Sequence, residues 1–400
     1  MGMKKCKLSE IAYFVEEKIS SDELTLNEYI TTDCLLQNKK GRTIAINLPP
    51  KSCSLTKFKK GDVLIGNIRP YLKKIWFAES AGGCSLDVLV LRAKKMEEAS
   101  FLYSLLLQDD FFDFVMKAPK GSKMPRGDKN HILTYPCFDI QNKIEVGSFI
   151  KSLDDKITLN KKINAKLEAM AKRLYDYWFV QFDYPDKNGK PYKTSGGKMV
   201  WNEVLKREIP EGWEVGNLYE IADYINGLAC QNYRPQDEEI FLPVIKIKEM
   251  HEGITSDTEK VSATIPEKYI IFDGDILFSW SATLEVMIWT GGKGGLNQHI
   301  FKVVPKSYFT KEYVFQQLSS YIVNFQKMAE ARKTTMGHIT SDHINQSRIV
   351  IPPKEVINAF SEKTLPIFNY QLTIQKEIQK LTDLRDRLLP LLMNGQVEVE

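Results

Sequence analysis

Within ten residues the chain places Lys120, Ser122, Lys123, Arg126 and Lys129, and within seven it places Arg332, Lys333, Thr334, Thr335 and His338. Lysine supplies a mobile point charge for phosphate oxygens, and the arginine fork matches phosphate or a guanine edge with two parallel hydrogen bonds. Hydroxyls and imidazole donate to phosphate or base. Arg69 stands two residues before Tyr71, and Trp280 sits between serines in Ser279-Trp280-Ser281, so each offers a planar ring beside polar groups for a groove. A solvated surface would use the same cations, and a core would use the same tryptophan.

Catalytic patterns are missing where they would be expected. GGKM at 196–199 lacks the first glycine and the hydroxyl of a phosphate-cradling loop. NLPP (47–50) and IPPK (351–354) both miss the Asn/Asp-Pro-Pro-aromatic run of amino-methyltransferases. With five histidines and no Cys-x-x-Cys or His-x-x-x-His, a zinc site is not expected. No Pro-Asp…Glu-x-Lys cluster of the nuclease type is present. The expectation is a chain with no catalytic residues, no metal and no cofactor of its own.

Composition agrees with a two-domain globular protein. The chain has 400 residues, 43% hydrophobic and 26% charged, with a formal charge of +4. That charge is concentrated: ten Lys/Arg lie between Lys39 and Lys74 against one acid, Asp62. Six scattered cysteines read as reduced, buried thiols. The N-terminus shows no apolar leader and no run is long enough to span a bilayer, so a cytoplasmic protein without a membrane partner is expected.

The elements that must carry the clusters occur twice. GDVLIGNIRPYLKKIWFAESAGGCSLDVL (61–89) and GDILFSWSATLEVMIWTGGKGGLNQHIF (274–301) both open Gly-Asp, place a Trp fifteen residues on and reach a Gly-Gly. Trp76 and Trp289 are 213 apart, KLSEIAY (7–13) and NLYEIAD (217–223) are 210 apart, and Met124/Met336 and His131/His343 are each 212 apart. Each copy ends in an amphipathic helical pattern. In the first, Ile157, Asn160, Ile163, Leu167, Met170, Leu174 and Tyr177 recur at three- and four-residue steps. In the second, Ile374, Ile378, Leu381, Leu384 and Leu388 do so. Two similar seams predict mutual, antiparallel pairing, with Asn160 as a register-fixing polar residue. The expected architecture is mixed α/β. A globular domain over 1–147 and a helix over 148–180 lead through a linker over 181–213 to a second domain over 214–356 and a helix over 357–400. Helices are also expected over Ser100–Met116 and Lys311–Met328.

The stretches LEAMAKRLYDYWFVQFDYPDKNGKPY (167–192), SGGKMVWNEVLKREIPEGWEV (195–215), LNQHIF (296–301) and LTDLRDRLLPLLMNGQV (381–397) resemble the specificity subunit of type I restriction–modification systems, and the resemblance covers essentially the whole chain. It implies two target-recognition domains that read an asymmetric two-part site in double-stranded DNA, spaced by an antiparallel coiled coil. It also implies docking of two methyltransferase and two motor-nuclease subunits, which bring the S-adenosylmethionine, ATP and Mg2+ chemistry. The chain departs from the pattern at its start, where MGMKKCKLSE has no counterpart of the IPEGWEV that introduces the second copy. The rival reading is an autonomous two-domain DNA-binding regulator; neither half shows a helix-turn-helix pattern, and a regulator has no need of two long apolar seams.

Overall fold

The computed structural model describes residues 5–121, 123–281, 283–331 and 339–399. Contacts divide the chain into two compact units, Met1–Leu159 with Ile378–Glu400, and Asn160–Glu377. The chain is mixed α/β, with two long helices, Lys143–Tyr175 and Lys354–Met393, each contributing to both units. The packing therefore groups the chain differently from a division at 147, 180, 213 and 356, because each half-helix is sealed into the core beside it.

In the first unit an antiparallel sheet runs in the order Ala12–Phe14, Val88–Ala93, Val63–Gly66, Ile75–Phe77. In the second the order is Ala222–Asn226, Ile300–Pro305, Ile276–Ser279, Glu285–Ile288. The two frameworks superimpose in order and sense, which is the structural content of the sequence repeat. Alternation along a strand sends successive side chains to opposite faces. Val63, Ile65, Leu89 and Leu91 enter one core, whereas Leu64, Trp76, Val88 and Val90 enter another. Likewise Ile276, Phe278 and Val303 enter one core, and Leu277, Trp289 and Ile300 another. Both faces of the central strands are covered, so apolar residues fill adjacent positions along them, interrupted by Arg92, Ser279 and Lys302, and both repeated tryptophans serve as core.

The repeated glycines have a steric cause. Gly82–Cys84 and Gly294–Leu296 are strands that each pair with a parallel neighbour, Tyr29–Ile30 and Phe241–Ile245 respectively. A Cβ on Gly82 would stand 2.2 Å from the Glu28 carbonyl oxygen, and one on Gly294 2.6 Å from Ile245 Cγ1. The Gly-Asp pairs are turns. Gly61 and Gly274 have φ near +90° (92° and 87°), and the following carboxylates accept from the backbone three residues earlier, Lys59 N at 2.8 Å and Phe272 N at 2.9 Å. Each carboxylate also meets a cation of the adjacent central strand, Asp62 with Arg92 at 2.7 Å and Asp275 with Lys302 at 2.9 Å.

The helical regions differ in detail from the sequence pattern. The segment expected as one helix over Ser100–Met116 forms two, Ala99–Leu106 and Asp109–Val115, and the other runs Lys311–Ala331. Residues 181–213 are not an open linker. Tyr184 stacks on Tyr192 at 4.7 Å, Asp183 accepts from both N and Oγ1 of Thr194 at 2.7 Å, and Met199–Asn202 pairs with Arg207–Pro210. Turn residues dominated the reading of this stretch, but Phe182, Tyr184 and Trp213 bury themselves in the second unit's core.

The helices pair antiparallel within the second unit, where Tyr175, Trp178 and Phe179 meet Phe360 while Met170 and Leu174 share a groove with Lys363 and Ile367. In the first unit Arg385 Nη1 meets Asp154 at 2.7 Å. Ile157, Asn160 and Ile374 are buried, and Ile163, Leu167, Leu174, Ile378, Leu381 and Leu388 half-buried, as a seam requires. Met170, Tyr177 and Leu384 depart from it, exposed by 54%, 37% and 43%. Ala171, Tyr175, Trp178 and Arg385 take the buried positions instead. The slip follows from chemistry: a small Ala and a paired Arg occupy seam positions that an apolar count passes over.

Candidate nucleic-acid interface

The first unit assembles its polar loops from three separated segments. Residues 67–74 leave the sheet between Val63–Gly66 and Ile75–Phe77, and Pro70–Leu72 forms a single 3-10 turn. Both flanks of that turn, Arg69 and Lys73, hold φ of 51°, and Asn38 and Lys39 hold 55° and 60°. Left-handed backbone at a non-glycine residue is unfavourable and persists only where surroundings impose it. Here the two loops impose it on each other: Asn38 N donates to Leu72 O at 2.9 Å, and Lys39 N to Lys73 O at 3.0 Å. The ammoniums of Lys39 and Lys73 then converge on Asp109, at 2.9 and 2.8 Å. Burial pushes the Asp109 carboxyl up, but the hydrogen bonds and charges of the two lysines outweigh it and hold the carboxyl below its usual value.

The third segment is the short ribbon formed by Pro119–Lys120 and Arg126–Gly127. Arg69 N donates to Pro125 O at 2.9 Å, and Ile68 bridges Arg126. Arg69, Lys123, Arg126 and Lys129 are exposed, and Tyr71 is half-exposed at 50%. Arg126 Nη2 donates to Asp87 Oδ1 at 2.9 Å, and the Lys129 ammonium lies 5.4 Å over the Phe14 ring. Lys120 is placed here by its backbone pairing with Arg126. The structure thus draws Arg69, Tyr71, Lys120 and Arg126 to one edge, although more than forty-five residues separate the two pairs in sequence.

Part of the basic run 39–74 is engaged in structure. Arg42 lies 4.6 Å over Trp76 and donates to Asn27 Oδ1, and Lys74 donates to Thr32 O. Sequence reading missed Asn38 and Lys39 as partners of the Arg69 loop and Asp87 as the partner of Arg126. The basic run was a faint signal for Lys39; Asp87 had none, because the contact spans 39 residues.

The second unit places its candidates differently. Ser279 is fully buried and donates to Thr283 O at 2.7 Å, so its hydroxyl shapes its own turn. It ends a core strand, and alternation directs it inward. Trp280 is half-buried; its Nε1 donates to Asn226 Oδ1 at 3.1 Å, and its ring centroid stands 5.6 Å from His299 and 6.0 Å from Phe301. Ser122, Arg332, Lys333, Thr334, Thr335 and His338 lie outside the described residues. Of the repeated histidines, His131 stacks on Phe114 at 4.2 Å, and buried His343 bonds Thr340, both serving local structure. Among the described residues no group of His, Cys, Asp or Glu could hold a metal ion, and no helix is long and apolar enough to cross a membrane.

Comparison with known proteins identifies the class. Residues 210–384 match the family described as type I restriction modification DNA specificity domain. The chain is 25% identical over 460 residues to the type I restriction enzyme HindI specificity subunit of Haemophilus influenzae, covering 98% of this chain and 99% of the relative. It is 25% identical over 366 residues to the MjaIX specificity subunit of Methanocaldococcus jannaschii, covering 88% and 81%. The fold matches the crystal structure of a type I restriction–modification S subunit from M. genitalium with a TM-score of 0.60 at 11% identity, covering 100% of this chain and 97% of that one. The resemblance read from the sequence therefore holds: these likenesses are to type I specificity subunits, a class of non-catalytic DNA-recognition subunits.

Proposed function

We propose that this specificity subunit reads an asymmetric, two-part DNA site, one part through each sheet unit, and docks two methyltransferase and two motor-nuclease subunits in the cytoplasm. The observation that carries the reading is a duplicated sheet framework with unlike loops. NIRPYLKK (67–74) in one copy stands where SWSATLEV (279–286) stands in the other. A shared scaffold with rewritten loops suits two different half-sites, since base edges specify sequence while phosphate contacts set register. S-adenosylmethionine, ATP and Mg2+ would be used by the partner subunits. The long helices, with Met170 and Leu384 exposed and Tyr177 exposed just past the first, offer apolar surface for those subunits.

The test is reconstitution. The purified chain alone should neither methylate nor cut DNA, and adding methyltransferase subunits should give adenine N6-methylation at a bipartite site. Methyl transfer by the highly purified single chain, or no sequence-specific methylation in the complex, would refute it.

A further inference from the structure

We propose that Asp87 is a positioning residue for base readout: it holds the Arg126 guanidinium in the orientation that reads one guanine of the first unit's half-site. The inference rests on the DNA-reading function above and adds to it which residue sets the geometry.

Arg126 is unusually constrained for an exposed arginine. Its backbone pairs with Lys120 on one side and bridges Ile68 on the other. The neighbouring Pro125 carbonyl accepts from Arg69 N at 2.9 Å. The following residue is pressed onto the domain: a Cβ on Gly127 would meet Val115 Cγ1 at 2.8 Å and Asn67 Oδ1 at 3.0 Å. Asp87 is anchored to the same structure, because its carbonyl accepts from Asn67 N at 2.8 Å just before the core strand Val88–Ala93. Main chain thus fixes both ends of the Arg126–Asp87 pair before the side chains meet.

The pair itself is half in water, with side chains 51% and 41% exposed, so it adds little to stability. Its geometry is informative instead. Asp87 takes one N–H of a five-donor fork through Nη2, leaving the other donors for an incoming acceptor pair. Guanine presents O6 and N7 side by side in the major groove, the acceptor pair that an arginine fork engages bidentately. A fork held in place beforehand loses less conformational freedom on binding, and a misdirected one discriminates less.

The experiment selects bound duplexes from a randomised pool with the full-length chain and three variants, Asp87→Ala, Asp87→Asn and Arg126→Ala, each checked by thermal melting. Arg126→Ala should relax one base-pair position of one half-site, lowering guanine preference there about tenfold. Asp87→Ala should relax the same position with no change in melting and none in the other half-site. The isosteric Asp87→Asn, which keeps the acceptor, should restore part of the preference, and the double variant should relax it no further than Arg126→Ala does.

Three outcomes overturn the proposal: unaltered base preference in Asp87→Ala, a uniform weakening at all sites, or uniformly tighter binding because a negative charge has been removed. A wild-type chain that selects no two-part sequence in the pool or in the methyltransferase complex overturns the DNA-reading function itself, which separates the two failures.

Discussion

Asp154 and Arg385 meet in the buried part of the first unit, with side chains 16% and 6% exposed, and Tyr103 Oη donates to the same carboxylate at 2.9 Å. Arg385 Nη2 also reaches Asp386 at 2.8 Å. Removing one partner of such a group leaves the other charged and desolvated, which costs far more than the pair contributes. Asp154→Ala should therefore destabilise the protein by about 1–3 kcal/mol, since Tyr103 Oη loses its acceptor while Arg385 keeps Asp386, measured by denaturant unfolding. Replacement of both partners by apolar residues should be much milder. At this scale the sequence was partly legible. The arginines and lysines stood out, yet their roles depend on partners far away in the chain. Lys39 and Lys73 share Asp109, while Arg126 is paired with Asp87 and remains exposed. Ser279 shows the limit most plainly, since its hydroxyl is spent inside the fold. Type and spacing indicate what a side chain can do, and only the strand's inward or outward phase settles which way it points.

Among the elements, the long helices hold a polar residue where an apolar one would pack. Asn160 is buried, and its Nδ2 has no hydrogen-bond partner among the described residues. A buried unsatisfied donor costs about 1–3 kcal/mol, a cost that register specificity in a helix pair can offset. Asn160→Leu should raise the melting temperature while preserving helix content by circular dichroism; a lowered melting temperature would show that Asn160 is satisfied and stabilising. The central strands Val63–Gly66, Val88–Ala93, Ile276–Ser279 and Ile300–Pro305 carry apolar residues at adjacent positions because both their faces are covered, with Arg92, Ser279 and Lys302 as the polar exceptions. The helix seam was read less well. Its pattern passes through Ala171 and Arg385, which an apolar count omits, and so drifted onto Met170, Tyr177 and Leu384. The aromatic packing of Phe182, Tyr184, Tyr192 and Trp213 was hidden by the turn residues around it.

At the scale of the whole molecule, the repeat was legible because its anchors are structural: turn glycines, close-packed glycines and core tryptophans recur at nearly one offset, 212 or 213 residues. What the copies do not share is where specificity should reside. If the helices set the distance between half-sites, inserting one heptad after Asn164 keeps the seam in phase and adds about 10 Å at 1.5 Å per residue. That is about three base pairs of reach at 3.4 Å each, less whatever DNA twist disallows. Methylation mapping should return the same half-sites with a longer gap, and an unchanged gap in a folded, active variant would show that the helices do not set it.

The central claim, that each unit reads its own half of the site, is tested most directly by replacing residues 117–133 with the corresponding loop of a specificity subunit of different sequence preference. The complex formed with methyltransferase subunits is then mapped for adenine methylation across a genome. Only one half of the recognised sequence should change, with the other half and the gap intact, and replacing 330–345 should alter only the complementary half. Changes in both halves from a single loop replacement, or in neither, would contradict the account.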